Sequence, residues 1–293
     1  MTQQNDFSEN QTCLTWRLPV GTDEPELLTL PGAPVSTLDQ ASMQIPGGAY
    51  TTFRTFRRVY AFHLADHFAR LENSSRLLLL PEKLDATRIR HAIFRAIQQF
   101  QADDTRIRLS LDLTSNPGDI YISLEKLIVP SRDQYEHGIH VATVRMQRQN
   151  PQAKSTSFIS QAAEIRSSLP KCAVEGIMLG DDGAMMEGLS SNFYSVIDGE
   201  IYTSDQGILC GVTRRLVLDE ARRAGIVVKY RPPRLSELPG FSESFITSSS
   251  RAVMPVIAVD QTPIGDGNPG PVTTLLLNKY TERIDREIEP IWL

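Results

Sequence analysis

Lysine is scarce in this 293-residue chain. Only six of its 30 basic residues are lysines (Lys83, Lys126, Lys154, Lys171, Lys229 and Lys279), and the rest are arginines. Cysteine is scarcer still. Cys13, Cys172 and Cys210 lie far apart, with no CxxC or Cys/His spacing, which argues against a zinc site and against a disulfide framework. An odd, sparse set of thiols fits a reducing, cytoplasmic setting. Excess basic charge is also absent. The formal net charge is −5, so there is no electrostatic reason to expect a nucleic-acid partner. No apolar run approaches the ~20 residues needed to span a membrane. The opening "MTQQNDFSENQT" lacks the basic start and apolar run of a signal peptide, and these first ~12 residues are expected to be disordered. There is no internal repeat.

What remains is an ordinary globular composition, 41% hydrophobic and 22% charged, long enough for one large domain or two modest ones. Segment 47–62, "GGAYTTFRTFRRVYAF", is rich in Thr, Tyr and Phe and reads as two strands around a tight connection. In "HLADHFARLENSSRLLLLP", Leu64, Phe68, Leu71, Ser75 and Leu78 recur at helical spacing until Pro81 stops the run. A second, polar stripe on that helix carries His63, His67, Arg70 and Ser74. A further helix is expected over about 86–101, with Ile89, Ala92, Ile93, Ala96, Ile97 and Phe100 on one face. "RIRLSLDL" alternates as a strand, "TSNPGD" turns, and "IYISLEKLIV" returns as its hairpin partner.

The polar stretch "PSRDQYEHG" is the best boundary between domains. It divides a domain over 1–129 from one over 138–293, with 130–137 as linker. The second part is expected to hold a strand in "IHVATVRM" and helices at about 157–167, 212–225 and 270–286. Strand-rich segments lie between them. Without strict βαβ alternation, the class is α+β in two domains.

Several features could carry chemistry. The helix starting after Gly211 exposes backbone N–H groups that can cradle an anion, and Thr213 adds a hydroxyl. "ITSSS" (246–250) offers three successive hydroxyls at a strand end. Arg70 lies on a polar helical stripe. Each has an ordinary reading as a plain cap, a polar turn and a solvated arginine, and spacing alone does not bring them together. A carboxylate at Glu187, between apolar residues and a Gly/Ser-rich bend, is unusual at the end of a strand that reads as buried. Among the six lysines, position alone singles out none as a nucleophile.

Seven segments in order carry a resemblance: "GAYTTFRT", "HLADHFARLENSSRL", "AK" before a helix, "EGIMLGDDGAMMEGLSSNFYSVIDGEIYT", "GILCGVTRRLVLDEA", "SESFITSSSRAVMPV" and "IGDGNPGPVT". Together they run from about residue 46 to 282. The chain resembles the class IV, fold-type IV pyridoxal-phosphate enzymes. These include branched-chain and D-amino-acid aminotransferases and aminodeoxychorismate lyases. The resemblance implies a two-domain architecture with the cofactor at the domain interface and its lysine in the second domain. It implies that Lys154, 33 residues before Glu187, bonds to the cofactor aldehyde and, once freed, moves a proton. Glu187 is implied as the partner of the pyridine nitrogen. Arg70, Val212, Thr213 and Ser249 are implied as phosphate holders, Ser249 standing where Thr is usual.

Tyr50, Arg54, Arg108 and Ser250 match substrate-side positions. Arg106 stands where branched-chain enzymes have Tyr, and alternation places it on the strand face of Arg108. Two exposed strand arginines are the alternative. There are departures. Phe158 stands where those enzymes place a Tyr, and "SLDLTSNPGD" replaces the Arg-Gly loop of D-amino-acid enzymes and lyases. "YTTFR" is closer to the "FTTAR" of the lyases. The implied function is amino transfer between an α-amino acid and a 2-oxo acid by a cytoplasmic homodimer. An aminodeoxychorismate lyase and a non-catalytic cofactor-binding protein stand as alternatives, and donor and enantiomer are left open.

Overall fold

The computed structural model describes residues 12–31 and 34–293, so the expectation of disorder over the first ~12 residues falls almost wholly outside it. The chain groups into two compact units. The first runs to Leu127 and takes in Lys154–Ser160 and Ile288–Leu293, and the second holds Ile128–Ala153 and Gln161–Glu287.

In the first unit the elements are β1 (Cys13–Leu18), β2 (Glu26–Leu27), α1 (Leu38–Ser42), β3 (Gly48–Arg54), β4 (Tyr60–Phe62), α2 (Leu64–Leu77), α3 (Ala86–Phe100), β5 (Thr105–Asp112) and β6 (Ile120–Lys126). Five strands form an antiparallel sheet in the order β2-β1-β6-β5-β3. Alternation gives this sheet two unlike faces. On one, Ala49, Phe53, Ile107, Leu109, Ile122, Leu124, Leu14 and Trp16 form a core with Phe68 and Leu71 of α2 and Ile89 and Ile93 of α3. Trp16 is fully buried, and its indole N–H donates to Gln99 at 2.9 Å. The other face is polar. It presents Tyr50, Thr52, Arg106, Arg108, Ser110, Ser123, Glu125 and Thr15 in cross-strand register. The short α1, closed by a Thr37–Gln40 capping box, lays its backbone and side chains against these groups.

The second unit contains α4 (Arg132–His137), β7 (Ile139–Val144), β8 (Ala173–Leu179), β9 (Met185–Gly188), β10 (Asn192–Ile197), β11 (Glu200–Tyr202), α6 (Val212–Arg223), β12 (Val228–Lys229), β13 (Glu243–Ser248), β14 (Ala252–Val259), β15 (Thr262–Pro263) and α7 (Pro271–Glu287). Helix α5 (Ser157–Ser168) has its first turn in the first unit and the rest in the second. The sheet runs β12-β11-β10-β13-β14-β7-β8-β9, and β9 also pairs with β10. That last pairing, Glu187 opposite Asn192, closes six strands into a ring. An apolar cluster draws a residue from every strand of it: Ile139, Ile177, Met185, Phe193, Ile246 and Met254. Such a shared cluster is what inward-facing rows of a closed sheet supply. Glu243 of β13 caps α7, accepting from the N–H groups of Val272 (3.0 Å) and Thr273 (2.8 Å).

The last strand, β16 (Ile288–Pro290), returns to the first unit and pairs with β4. The two strands expected in 47–62 form as β3 and β4; in the connection Phe56 bridges Tyr60, Arg57 and Arg58 take left-handed backbone angles, and β4 pairs with β16. Two expectations change. Residues 130–137, expected as a linker, form α4 of the second unit, capped by Ser131. Lys154, expected in the second domain, groups with the first unit because residues 154–156 lie along β3.

Candidate active site

Lys154 is held by its backbone. Its carbonyl accepts from Tyr50 N–H at 2.8 Å and its N–H donates to Ser74 Oγ at 3.1 Å. Next to it Ser155 bridges Ala49, and Thr156 exchanges bonds with Gly48. The segment thus runs as an added edge beside β3. Gly48 is required there, since a Cβ would sit 2.0 Å from the Leu111 carbonyl oxygen. The Lys154 amine lies 4.4 Å from the centroid of the Tyr50 ring, and the guanidinium carbon of Arg108 lies 4.9 Å from the same centroid.

Arg108 is buried. Its nitrogens donate to the Leu38 carbonyl (2.9 Å), Ser42 Oγ (2.8 Å), Asp39 Oδ1 (2.8 Å) and Thr52 Oγ1 (3.3 Å). The sequence therefore places Arg108 beside Tyr50, but α1 engages its fork. Arg106 pairs with Glu125 at 2.8 Å. Arg54 stacks on Phe56 (4.5 Å) and reaches Asp104 at 3.4 Å, at the far end of β3 from Gly48.

On α2, Arg70 Nη2 donates to Thr51 Oγ1 (2.8 Å) and to His67 Nδ1 (3.2 Å), and Thr51 Oγ1 is 3.0 Å from the same Nδ1. A ring nitrogen that accepts from a guanidinium carries no proton, so His67 is assigned as the Nε2–H tautomer. Burial, then the charges of Arg70, Lys154 and His63, hold its pKa well below the usual imidazole range. His67 is a neutral acceptor that orients Arg70.

In the second unit Glu187 is 2% exposed. Its Oε1 accepts from Arg148 Nε at 2.7 Å and from Leu209 N–H at 3.2 Å. Both charges of this pair are buried, and each compensates the other's desolvation. Asn192, opposite Glu187, donates from Nδ2 to the Leu209 carbonyl at 2.8 Å. Its Oδ1 would lie 2.4 Å from a Cβ at Gly211, the residue that starts α6. Gly211 supplies no side-chain cap, so the first N–H groups of α6 face the role of anion donors without competition from an N-cap side chain. Val212 and Thr213 are buried there, and Thr213 Oγ1 accepts from Tyr280 at 3.3 Å. Ser249 and Ser250 are half-buried in the turn between β13 and β14.

Within the first unit the structure thus brings Tyr50, Lys154 and Arg108 together, leaves Arg54 with Asp104, and ties Arg70 to Thr51 and His67. In the second it links Glu187 through Leu209 and Asn192 to the start of α6. Sequence reasoning missed Arg148, Thr51, Asn192 and the Asp39/Ser42 hold on Arg108. His67 had a signal in the polar stripe of α2; Arg148, 39 residues from Glu187, had none. Each unit holds groups that suit pyridoxal phosphate: a side-chain amine and an arginine in the first, and a buried carboxylate, an uncapped helix start and hydroxyls in the second. Among the described residues no cluster suits a metal ion.

The sequence pattern of the family described as "Amino-transferase class IV" matches residues 48–259. The chain belongs to the class IV aminotransferases. It is 27% identical over 263 residues to a probable branched-chain-amino-acid aminotransferase of Thermotoga maritima, covering 88% of this chain and 92% of that one. Identity to a D-alanine aminotransferase of Bacillus licheniformis is 24%, over 80% and 87%. The crystal structure of a putative branched-chain amino acid aminotransferase from Thermotoga maritima superposes with a TM-score of 0.76 at 26% identity, over 94% and 96%. A branched-chain amino acid aminotransferase from a T.th. strain, solved with pyridoxamine 5'-phosphate, shares the fold with a TM-score of 0.75 at 19% identity, over 95% and 98%. This class IV aminotransferase therefore has the fold-type IV architecture read from its motifs, and its cofactor is pyridoxal 5'-phosphate.

Proposed function

We propose that this chain transfers the amino group of a branched-chain-type α-amino acid to a 2-oxo acid, with Lys154 and Glu187 serving one bound pyridoxal phosphate. When bound, that cofactor supplies an electrophilic aldehyde and a ring that accepts an electron pair. Lys154 would hold the cofactor through its aldehyde, and its freed amine would move a proton at the substrate Cα. Its backbone anchors to Tyr50 and Ser74 fix where the amine can reach. Glu187, paired with Arg148, would partner the pyridine nitrogen and favour its protonated form. Arg70, kept in orientation by Thr51 and His67, grips the phosphate with the Val212 and Thr213 N–H groups and Ser249. Tyr50, Arg108 and Ser250 serve the substrate, whereas Arg54 stays with Asp104 at the far end of β3. Because α1 engages Arg108, its contribution is a fixed positive field beside Tyr50 more than a freely swinging fork.

The observation that supports this most is the buried Glu187, joined through Leu209 and Asn192 to the bare helix start at Gly211. The test is a panel of L- and D-amino acids with 2-oxoglutarate and pyruvate as acceptors. Amino transfer from a branched-chain donor, abolished in Lys154→Ala, supports the reading. Pyruvate release from aminodeoxychorismate without an added oxo acid would replace it with the lyase. No helix is long and apolar enough to cross a membrane among the described residues. We propose a cytoplasmic homodimer, in keeping with the family, which sedimentation of the purified protein checks.

A further inference from the structure

Glu175 is a buried carboxylate, 1% exposed, that no role above uses. It lies on β8, and everything it touches belongs to the second unit. Its Oε2 accepts from Ser190 Oγ (2.7 Å), Ser191 Oγ (3.2 Å) and Arg251 Nη2 (2.5 Å). Its Oε1 accepts from Gly176 N–H at 3.2 Å. Ser190 and Ser191 form the bend between β9 and β10, directly after Glu187. That bend closes by Gly188 N–H to the Ser191 carbonyl at 2.8 Å. Gly188 permits the approach: a Cβ there would sit 2.2 Å from Ser191 Oγ and 3.0 Å from Glu175 Cγ. Arg251 ends the turn that carries Ser249 and Ser250. It also donates to Ser190 Oγ (2.9 Å) and, from Nε and its backbone N–H, to Ser248 Oγ (3.3 Å each). Tyr135 OH holds its carbonyl at 2.9 Å.

We infer that Glu175 and Arg251 are positioning residues, which lock the bend behind Glu187 to the turn of Ser249 so that ring and phosphate contacts form in one fixed geometry. The inference rests on the proposed roles of Glu187 and Ser249. A buried ion pair adds little net stability, because desolvation offsets the attraction. What it supplies is direction, since three side-chain donors from two loops converge on one carboxylate beside the Gly176 N–H of its own strand. Burial pushes the Glu175 carboxyl up, but the Arg251 charge and the bonds from Arg251 and Ser190 outweigh it and hold the group below the usual range. The carboxylate is therefore charged under working conditions.

The experiment is equilibrium titration of the full-length apoprotein with pyridoxal phosphate, read by protein fluorescence and cofactor absorbance, beside the melting temperature of the apoprotein. Glu175→Gln and Arg251→Met should each raise the cofactor Kd about tenfold, as outer partners of metal ligands do. The double variant should be no weaker than the worse single one. Ser190→Ala, at the exposed end of the network, should raise Kd about threefold, the scale of one modest hydrogen bond; it carries the test if the charged-pair variants do not fold. Unchanged Kd in these variants, with any loss confined to the melting temperature, overturns the inference while leaving the proposed function standing. A wild-type chain that binds no pyridoxal phosphate overturns both.

Discussion

His67 shows how one side chain's protonation bears on the rest. Its pKa is depressed in the folded state, first by burial and then by Arg70, Lys154 and His63. In the unfolded chain it returns to about 6.5. Below that value the unfolded state binds a proton that the folded state refuses, so stability falls as pH falls through about 6.5 and is flat above it. The slope from this group should approach about 1.4 kcal/mol per pH unit. Denaturant unfolding between pH 5 and 8 checks this, and His67→Gln, which keeps an acceptor for Arg70, should flatten that part of the curve. Arg148 makes the complementary case. Arg148→Met leaves the Glu187 charge buried without its guanidinium partner, and should cost about 3 kcal/mol or more in denaturant unfolding. The polar stripe on α2 made His67 visible in the sequence. Arg148 was not visible, because "RMQRQNPQ" has no periodicity and its partner is brought near only by the closed sheet.

Among the helices and strands, those with a strong pattern were legible. Helix α3 forms over Ala86–Phe100 with its apolar stripe buried, and β5 and β6 form the expected hairpin. What could not be read was pairing between distant segments. The parallel β14–β7 and β7–β8 pairs need crossover connections, and no local signal specifies which strands they join. The left-handed residues Arg57 and Arg58 similarly sent β4 away from β3. The start of α6 was legible as Gly-X-Thr, but not why it must be glycine. Asn192 Oδ1 lies where a Cβ would be, and Asn192 is itself held to Leu209. Gly211→Ala should therefore cost about 1–3 kcal/mol of stability by overpacking. It should also weaken pyridoxal phosphate binding, measured by melting temperature and by cofactor titration.

For the chain taken entire, the units part after Leu127, shortly before "PSRDQYEHG", and the two returns to the first unit had no signal in the sequence. Residues 154–160 return because they continue β3 as an added edge. The C-terminus returns because Ile291 is fully buried and Glu289 meets Arg90 at 2.8 Å and the Leu64 N–H at 3.1 Å. Deleting Ile288–Leu293 should therefore destabilise the first unit far more than loss of a surface tail. Burial of Ile291 alone contributes about 1.5–3 kcal/mol, and a drop in melting temperature of the truncated protein measures it. The family, the fold and the cofactor were all legible from seven ordered segments; the choice of Lys154 among six lysines was not a physical deduction from the sequence.

That choice is open to direct measurement. The protein, incubated with pyridoxal phosphate, is reduced with borohydride, digested, and searched by mass spectrometry for the phosphopyridoxyl group. The adduct should sit on the peptide containing Lys154 at about one per chain, with the other five lysines unmodified at stoichiometric cofactor. An adduct on any other lysine, or none at all, would contradict the account.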